Sequence, residues 1–258
     1  MTVERVDIFI AGVQKAATTT LHALLSEHHD ILSADVKELH FFDNEKIDWS
    51  APDYSLLHNR YPEPQNGQVA IDSTPIYTFW PPSLERIKAY NPDARIIVQF
   101  RDPIERAWSH WRMETARNNE DLNFSACIRS GRSRIDPSTP LAWNWRIASY
   151  VERGFYTQQV RRLFDLFPPT QILLLDNRDL DSDAAGTMAR VTNFLGFKPY
   201  EAVHERRDHI GTDHFGTIPE DDVAYLRGIF REDVLEFGRL TRLDVSNWPT
   251  LNLGVPIR

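Results

Sequence analysis

The chain has 258 residues, of which 41% are hydrophobic, and its 37 acidic side chains outnumber the 29 basic ones to give a formal net charge of −8. This length and composition predict one globular domain spanning residues 1–258, and they exclude a collagenous or disordered chain. The negative charge disfavours a general nucleic-acid binder, and no apolar run approaches the length of a membrane span. The charged N-terminal residues and the single cysteine, Cys127, predict a cytoplasmic protein without a signal peptide or an internal disulfide.

Short apolar runs alternate along the chain with segments of helical periodicity. Strands are predicted at residues 6–13, 68–72, 94–100 and 171–175. Helix spacing follows the first run at Leu21, Leu24, Leu25 and His28. Such alternation is typical of βαβ units, so the sequence predicts an α/β fold with a central parallel β-sheet flanked by helices.

Further helix signals lie in the second half of the chain. Asp102, Pro103 and Glu105 suit the N-cap, N1 and N3 positions of a helix that begins directly after the third predicted strand. Helices are also predicted over 155–167, over about 184–195 and after Pro219. Residues 116–146 break the pattern, since they are polar and rich in turn residues. They are either an acceptor-side insertion or lid, or a solvated loop.

The segment between the first predicted strand and the first predicted helix has the composition of an anion site. Gly12 ends the strand, Lys15 follows, and a threonine triplet opens the helix. Main-chain N–H groups and the helix dipole favour an anion at such a position. A Walker A loop has its lysine next to the serine or threonine, whereas Lys15 comes three residues before Thr18, so a P-loop kinase is disfavoured. Taken alone, the threonines could equally be a helix cap.

Five segments, which follow one another in the family's order along the chain, carry a family resemblance. Residues 13–21 (VQKAATTTL) resemble the 5′-phosphosulfate loop of sulfotransferases that use 3′-phosphoadenosine 5′-phosphosulfate (PAPS), and residues 100–109 (FRDPIERAWS) resemble their 3′-phosphate element. Residues 37–43 (KELHFFD) are similar to the Glu-x-x-Phe-Phe signature of the heparan sulfate N-/3-O-sulfotransferase-like branch. Residues 153–156 and 172–176 match a later helix and strand of that branch. The resemblance spans roughly residues 6 to 200 and implies a sulfotransferase fold.

The resemblance implies transfer of a sulfuryl group from PAPS to a hydroxyl or amine, with the bisphosphate PAP as product and no metal requirement. Lys15 would stabilise the charge that develops on the leaving group. The 3′-phosphate ligands would be Arg101 and Ser109. The 5′-phosphate would be held by the rest of the loop, namely Ala16, Ala17, Thr18, Thr19 and Thr20.

The acceptor must lose a proton as it attacks, so a general base is required. Glu38 matches the glutamate that has this role in heparan-type enzymes. His40 is the alternative, since a histidine is the base in the small-molecule branch. We favour Glu38 and expect partial burial to raise the pKa of its carboxyl group.

Two departures from the family pattern concern the acceptor. Ser73 stands where many members have a lysine, and the residues before Pro219 lack the family's basic Lys-Gly-Arg loop. With a net charge of −8, the chain is an unsuitable partner for a long sulfated glycan. The expected acceptor is a small molecule, a lipid or a sugar, which Trp80, Trp143 or Trp145 could contact by stacking, although aromatic residues are more often part of the core.

Two rival interpretations stay open. One is a phosphoryl-transfer enzyme, with Asp72 as a Mg²⁺ ligand, and the other is a non-catalytic PAP-binding or nucleotide-binding protein. A zinc site is disfavoured because His204, His209 and His214 recur at intervals of five residues without cysteine ligands or an HExxH motif. The acceptor, the choice between O- and N-sulfation and the oligomeric state do not follow from the sequence.

Overall fold

A computed structural model describes residues 3–65, 67–136, 138–139, 141–203 and 215–257. His204, His209 and His214, which we considered as metal ligands, lie outside these ranges. The described residues form two compact units, one from residues 3–100 and 163–203 and the other from 101–162 and 215–257. The assignment of the whole chain to one domain stays a prediction.

The first unit contains a parallel sheet with the strand order β2-β3-β1-β4-β5. Its five strands are β1 (Val6–Gly12), β2 (Ile31–Ser33), β3 (Val69–Asp72), β4 (Arg95–Phe100) and β5 (Ile172–Asp176). Four of these were predicted. β2 was missed because a strand of three residues is too short to show a pattern of its own.

The helices follow the strands as the alternation predicts. Within the described residues they are α1 (Thr18–Ser26), α2 (Ser55–His58), α3 (Ser83–Tyr90), α4 (Pro103–Ala116), α5 (Phe124–Ile128), α6 (Trp143–Ile147), α7 (Tyr156–Leu166), α8 (Asn177–Ser182), α9 (Ala184–Leu195) and α10 (Glu220–Thr241). In that part of the chain no helix combines the length and the apolar character needed to cross a membrane. The predicted α/β architecture is confirmed.

The core of the first unit follows from the two-residue period of its strands. Ile8 and Ile10 face a buried cluster formed with α1 and α9, and that cluster includes Leu21, Leu25 and Met188. Phe9 points to the opposite face, where its ring packs edge-on against Phe42 at 5.6 Å between centroids. Because β1, β3 and β4 are parallel neighbours, their carboxyl ends lie at one edge of the sheet. The loop at residues 13–17 follows β1 at this edge.

The second unit is arranged around α4. The Asp102 side chain caps this helix by accepting hydrogen bonds from the main-chain N–H groups of Ile104 at 2.9 Å and Glu105 at 3.3 Å, as predicted. Its other oxygen accepts from the N–H of Thr250 at 2.8 Å. Capping thus joins the start of α4 to a segment almost 150 residues later in the chain.

The described residues of 116–146 include regular secondary structure. They contain α5, α6 and a 3₁₀ turn, Ser130–Arg134. The buried Glu120 carboxylate accepts hydrogen bonds from Arg134 at 2.8 Å and from the Tyr150 hydroxyl at 2.9 Å. Trp143 is 69% exposed, whereas Trp80 in the first unit is fully buried and therefore belongs to the core. The lid function of 116–146 stays a prediction.

Candidate active site

The loop between β1 and α1 is a tight turn in which Lys15 and Ala17 have φ values of +76° and +60°. The N–H of Val13 donates to the Gln99 carbonyl at 2.8 Å, and the N–H of Ala16 donates to the Val13 carbonyl at 3.2 Å. Ala17 occupies the N-cap of α1 and has no side-chain acceptor for the first-turn N–H groups. The first turn holds no acidic residue. The turn therefore presents main-chain donors and hydroxyls, as an anion site requires.

The structure brings the predicted loop residues together at the start of α1. Ala16, Thr18 and Thr20 are buried, while Lys15, Ala17 and Thr19 are half-buried. The burial of two of the three threonines fixes the helix start against the sheet. Lys15 and Thr19 keep partial exposure, so a ligand can reach their side chains.

Sequence reasoning missed the residue that supports this loop. Gln99 lies in β4, between β1 and β5, is fully buried, and donates from its side-chain amide to the Ala16 carbonyl. Its own main-chain carbonyl accepts from Val13. Gln99 thus holds the loop from two sides. The signal in the sequence was an amide within the otherwise apolar run Ile96, Ile97, Val98 and Phe100.

Replacing Gln99 by leucine should destabilise the loop and weaken PAP binding. Leucine has a similar volume but leaves the buried Ala16 carbonyl without its donor, a loss of about 1–3 kcal/mol in the free energy of unfolding. Urea unfolding and titration with PAP measure the two effects.

Gln171→Leu is a matched control, since the Gln171 amide donates to the carbonyls of Pro92 and Ala94 at 3.0 and 2.9 Å, away from the loop. This variant should lose stability and keep its PAP affinity. Equal PAP affinity in Gln99→Leu and the wild type would contradict the supporting role of Gln99.

The segment after β2 places one histidine between two carboxylates. His40 Nδ1 lies 2.9 Å from Asp43 Oδ2, and His40 Nε2 lies 3.6 Å from Glu38 Oε2. Lys37 Nζ donates to Glu38 Oε1 at 2.8 Å. Asp43 is fully buried, whereas the Glu38 side chain is 36% exposed. The two candidate bases are therefore in one cluster, but their partners differ.

These contacts decide the charge of both groups. Burial alone would raise the pKa of Glu38, but the hydrogen bond from His40 and the positive charge of Lys37 outweigh it and lower the pKa to about 2. Burial alone would lower the pKa of His40, yet its bonds to Asp43 and Glu38 raise the pKa to about 9. At neutral pH Glu38 is ionised and His40 is protonated. The expectation that the pKa of Glu38 would rise is wrong, because the sequence did not show that the side chains of Lys37 and His40 both approach its carboxylate.

A buried network ties this segment to the end of β3. Asp72 Oδ1 and Oδ2 accept hydrogen bonds from the hydroxyls of Thr74 and Tyr77, each at 2.7 Å. The main-chain N–H of His40 lies 3.5 Å from the Thr74 hydroxyl oxygen. Both oxygens of Asp72 are thus used within the protein, which weakens the rival assignment of Asp72 as a Mg²⁺ ligand.

Ser73, where the family resemblance leads us to expect lysine, has a neutral partner. Its hydroxyl lies 2.7 Å from Nδ1 of His22 in α1. Burial and the charge of Lys37 lower the pKa of His22 to about 4, so His22 is uncharged at neutral pH. The series of hydrogen-bonded side chains extends to Ser26, whose hydroxyl lies 3.4 Å from His22 Nε2 and 2.7 Å from the hydroxyl of Ser33. Neutral hydrogen-bonding groups have replaced a cation at this point.

The predicted 3′-phosphate ligands belong to the second unit. Arg101 directly follows the last residue of β4, and its Nε donates to the buried carboxylate of Glu105 at 3.2 Å. The Tyr156 hydroxyl donates to the Arg101 carbonyl at 2.9 Å. Ser109 lies in α4 and is half-buried. Glu105 and Tyr156 therefore hold the Arg101 side chain and backbone at the start of the helix.

One group of potential metal ligands occurs among the described residues. His28, His29 and Asp30 place ligand atoms within 4.8 Å of one another. Nδ1 of the buried His28 accepts from the N–H of Asp30 at 3.2 Å, and its Nε2 lies 2.9 Å from the Lys198 carbonyl. Since both ring nitrogens are used within the protein, packing accounts for His28.

Comparison with known proteins gives matches to sulfotransferases. A family model described as "Sulfotransferase domain" matches residues 5–215. Human heparan sulfate glucosamine 3-O-sulfotransferase 6 is 32% identical over 190 residues, covering 73% of this chain and 52% of the relative. Human bifunctional heparan sulfate N-deacetylase/N-sulfotransferase 3 is 28% identical, covering 74% of this chain and 22% of the relative.

A solved structure supports the same fold. The sulfotransferase from Alicyclobacillus acidocaldarius has a TM-score of 0.78 at 23% identity and covers 96% of this chain and 100% of its own. The chain spans about half the length of the 3-O-sulfotransferase that it matches. These matches confirm the resemblance to the heparan-type branch that residues 13–21, 37–43 and 100–109 carry. The chain belongs to the sulfotransferase family.

Proposed function

We propose that this protein is a PAPS-dependent sulfotransferase that transfers a sulfuryl group to a hydroxyl or amine of a small-molecule, lipid or sugar acceptor. The observation that carries the proposal is the position of the Glu38 carboxylate, which lies against Lys37 and His40 in a segment that the His40 N–H and the Thr74 hydroxyl join to the end of β3. β3 is the parallel neighbour of β1, so Glu38 and the anion-binding loop lie at the same edge of the sheet.

The donor PAPS supplies a sulfur atom bonded to the bridging oxygen of its 5′-phosphate. The acceptor oxygen or nitrogen forms a new bond to sulfur, the bond to the bridging oxygen breaks, and its electron pair stays with the product PAP. Glu38 takes the proton that the acceptor loses, since its carboxylate is ionised at neutral pH.

The loop and α4 would bind the phosphates of the donor. Lys15 would stabilise the negative charge on the bridging oxygen as the bond breaks, and Ala16, Ala17, Thr18, Thr19 and Thr20 would hold the 5′-phosphate through N–H groups and hydroxyls. Arg101 and Ser109 would bind the 3′-phosphate, because a guanidinium matches phosphate geometry and a hydroxyl adds a donor. The absence of acidic residues from the first turn of α1 fits this anionic ligand.

His40 has a supporting function in this mechanism. It is protonated at neutral pH and lies between Glu38 and Asp43. A protonated imidazole cannot accept a proton, so His40 orients Glu38 and keeps it ionised.

We also propose a cytoplasmic location, on the basis of the single cysteine, Cys127, which is buried.

Titration of the protein with PAP, ADP and ATP–Mg²⁺ tests the donor assignment. Binding of PAP in preference to ADP is expected, and replacing Arg101 by alanine should weaken PAP binding about 10- to 100-fold because a charge-assisted hydrogen bond to phosphate is lost. The affinity for ADP should change little. Release of PAP from PAPS with an acceptor present then measures turnover, which a non-catalytic PAP-binding protein would lack.

Arg117→Ala is the matched control, since Arg117 lies at the opposite end of α4 and its side chain is 61% exposed. It should bind PAP like the wild type. Preference for ATP–Mg²⁺ over PAP would overturn the proposed function in favour of phosphoryl transfer. Equal loss of PAP and ADP affinity in Arg101→Ala would remove Arg101 from the 3′-phosphate site.

A further inference from the structure

A cavity of about 390 Å³ opens beside the proposed general base. Glu38 and His40 form part of its lining, so a ligand in the cavity has direct access to the carboxylate. Five of the other eight lining residues are aliphatic, while Asn44 and Arg60 add polar surface, so the wall is partly apolar and partly polar; the aliphatic residues are Val36, Leu39, Ile47, Leu56 and Leu57. Its volume lies within the range of about 300–1,000 Å³ that is typical of small-molecule sites.

Two of these aliphatic side chains are unusually exposed. Val36 is 47% exposed and Leu56 is 59% exposed. Among the other large hydrophobic residues described, only Trp143 and Leu253 are more accessible than these two. When an apolar ligand covers an exposed apolar side chain, both surfaces leave water, which favours binding. The two exposed residues of this cavity therefore favour a ligand with an apolar body.

The charges around the cavity are balanced. Arg60, which also lines it, donates from Nε to Asp35 at 2.9 Å. The ammonium of Lys37 is bonded to Glu38, and the imidazolium of His40 lies between Glu38 and Asp43. Three cations thus face three carboxylates. A polyanion would find no excess of positive charge among these groups.

A second group of uncharged side chains also disfavours an anionic acceptor, namely His22, Ser73, Ser26 and Ser33. These side chains bond to one another, and Lys37 is close enough to His22 to influence it electrostatically. Arginine and lysine side chains are well suited to sulfate or carboxylate groups on an acceptor. Ser73 is buried with its hydroxyl against His22, so this position supplies no such cation.

We propose that the acceptor carries its hydroxyl on an uncharged, largely apolar body, and that this body occupies the cavity lined by Val36, Leu39, Ile47, Leu56 and Leu57. The inference rests on the proposed function for the chemistry at the hydroxyl. The hydroxyl oxygen bonds to the sulfur of PAPS as the bond from sulfur to the bridging oxygen breaks, the hydroxyl proton passes to Glu38, and the products are PAP and an anionic sulfate ester with an apolar body. The balance of charges at the cavity favours such an acceptor over a sulfated glycan chain.

The test compares uncharged acceptors with a glycan in the full-length protein. 2-Naphthol, 1-octanol and octyl glucoside are the apolar probes, and a heparan sulfate hexasaccharide is the anionic one. Binding of each is measured by titration of the PAP-loaded protein, and transfer is measured with radiolabelled PAPS. At least one apolar probe is expected to bind and to be sulfated more efficiently than the hexasaccharide.

Leu56→Ser and Leu253→Ser are the paired variants. Leu56 lines the cavity, while Leu253 is 79% exposed and lies in the second unit. Because both side chains are largely in water, neither change should harm folding. Leu56→Ser should raise the KM for the bound apolar probe about 5- to 10-fold with little change in kcat. Leu253→Ser should leave both values unchanged.

The outcomes separate the two proposals. Preferred sulfation of the hexasaccharide, no binding of any apolar probe, or equal KM values for Leu56→Ser and Leu253→Ser would each overturn the inference about the acceptor. If apolar probes bind in a Leu56-dependent way but receive no sulfate from PAPS, the cavity assignment stands and the proposed sulfotransferase activity fails.

Discussion

Replacing Glu38 by glutamine is expected to lower kcat by a factor of about 10² to 10⁴ while leaving the Kd for PAP within about twofold of the wild-type value. Glutamine keeps the size of the side chain, and its amide oxygen can still accept from Lys37, which lies 2.8 Å from Glu38 Oε1. What it lacks is the ability to take the proton of the acceptor. The change should therefore affect the chemical step and spare donor binding.

Steady-state kinetics with radiolabelled PAPS and calorimetry with PAP measure the two quantities. Asp48→Asn is a suitable control, because it removes one negative charge from an exposed position in the same part of the chain. It should behave like the wild type. If Glu38→Gln retained wild-type kcat, Glu38 would not be the base.

The pH dependence of kcat/KM distinguishes Glu38 from His40. With a pKa of about 2, Glu38 is ionised throughout the neutral range, so it should produce no acid limb between about pH 5 and 8. Activity should fall as pH rises through about 9, because His40 then loses its positive charge and no longer orients Glu38. If His40 were the base, activity would instead increase through the same range. Replacing His40 by asparagine should abolish the alkaline limb.

Replacing Lys15 by methionine should lower kcat by a factor of about 10² to 10³, the typical loss when one donor to a developing negative charge is removed. Affinity for PAP should fall by no more than about tenfold, because the contact with the bridging oxygen strengthens only as the bond to sulfur breaks. Lys15 lies in the turn that precedes α1, and its φ of +76° is as accessible to methionine as to lysine. The backbone of the loop should therefore be preserved.

Single-turnover rates and PAP titration measure these effects, and Lys46→Met is the matched control. Lys46 is an exposed lysine in the same compact unit, so its replacement should change neither quantity. An equal loss of kcat and of PAP affinity in Lys15→Met would assign Lys15 to ground-state binding. Unchanged kcat would remove it from the mechanism.

The part of the fold that was predicted correctly is the part that depends on local patterns. β1, β3, β4 and β5 are mainly apolar strands of four or more residues, and α4 begins directly after Asp102 because the Asp102 side chain accepts from the first-turn N–H groups. These features arise from neighbouring residues, so a window of the sequence contains their cause. β2 has only three residues and takes its place through pairing with β3, which a local pattern cannot show.

The candidate site likewise combines features that follow from local sequence with features that depend on contacts between distant segments. The anion-binding composition of residues 12–20 and the two candidate bases, Glu38 and His40, are predictions that follow from residue type and order. The contacts that lower the pKa of Glu38 and raise the pKa of His40 arise only in the folded chain. A pKa depends on the distance to other charges and on burial, and here Lys37, Asp43 and the packing of the segment set both. The role of Gln99, which reaches Ala16 across 83 residues, and the aliphatic cavity beside Glu38 likewise exist only once distant segments have packed together.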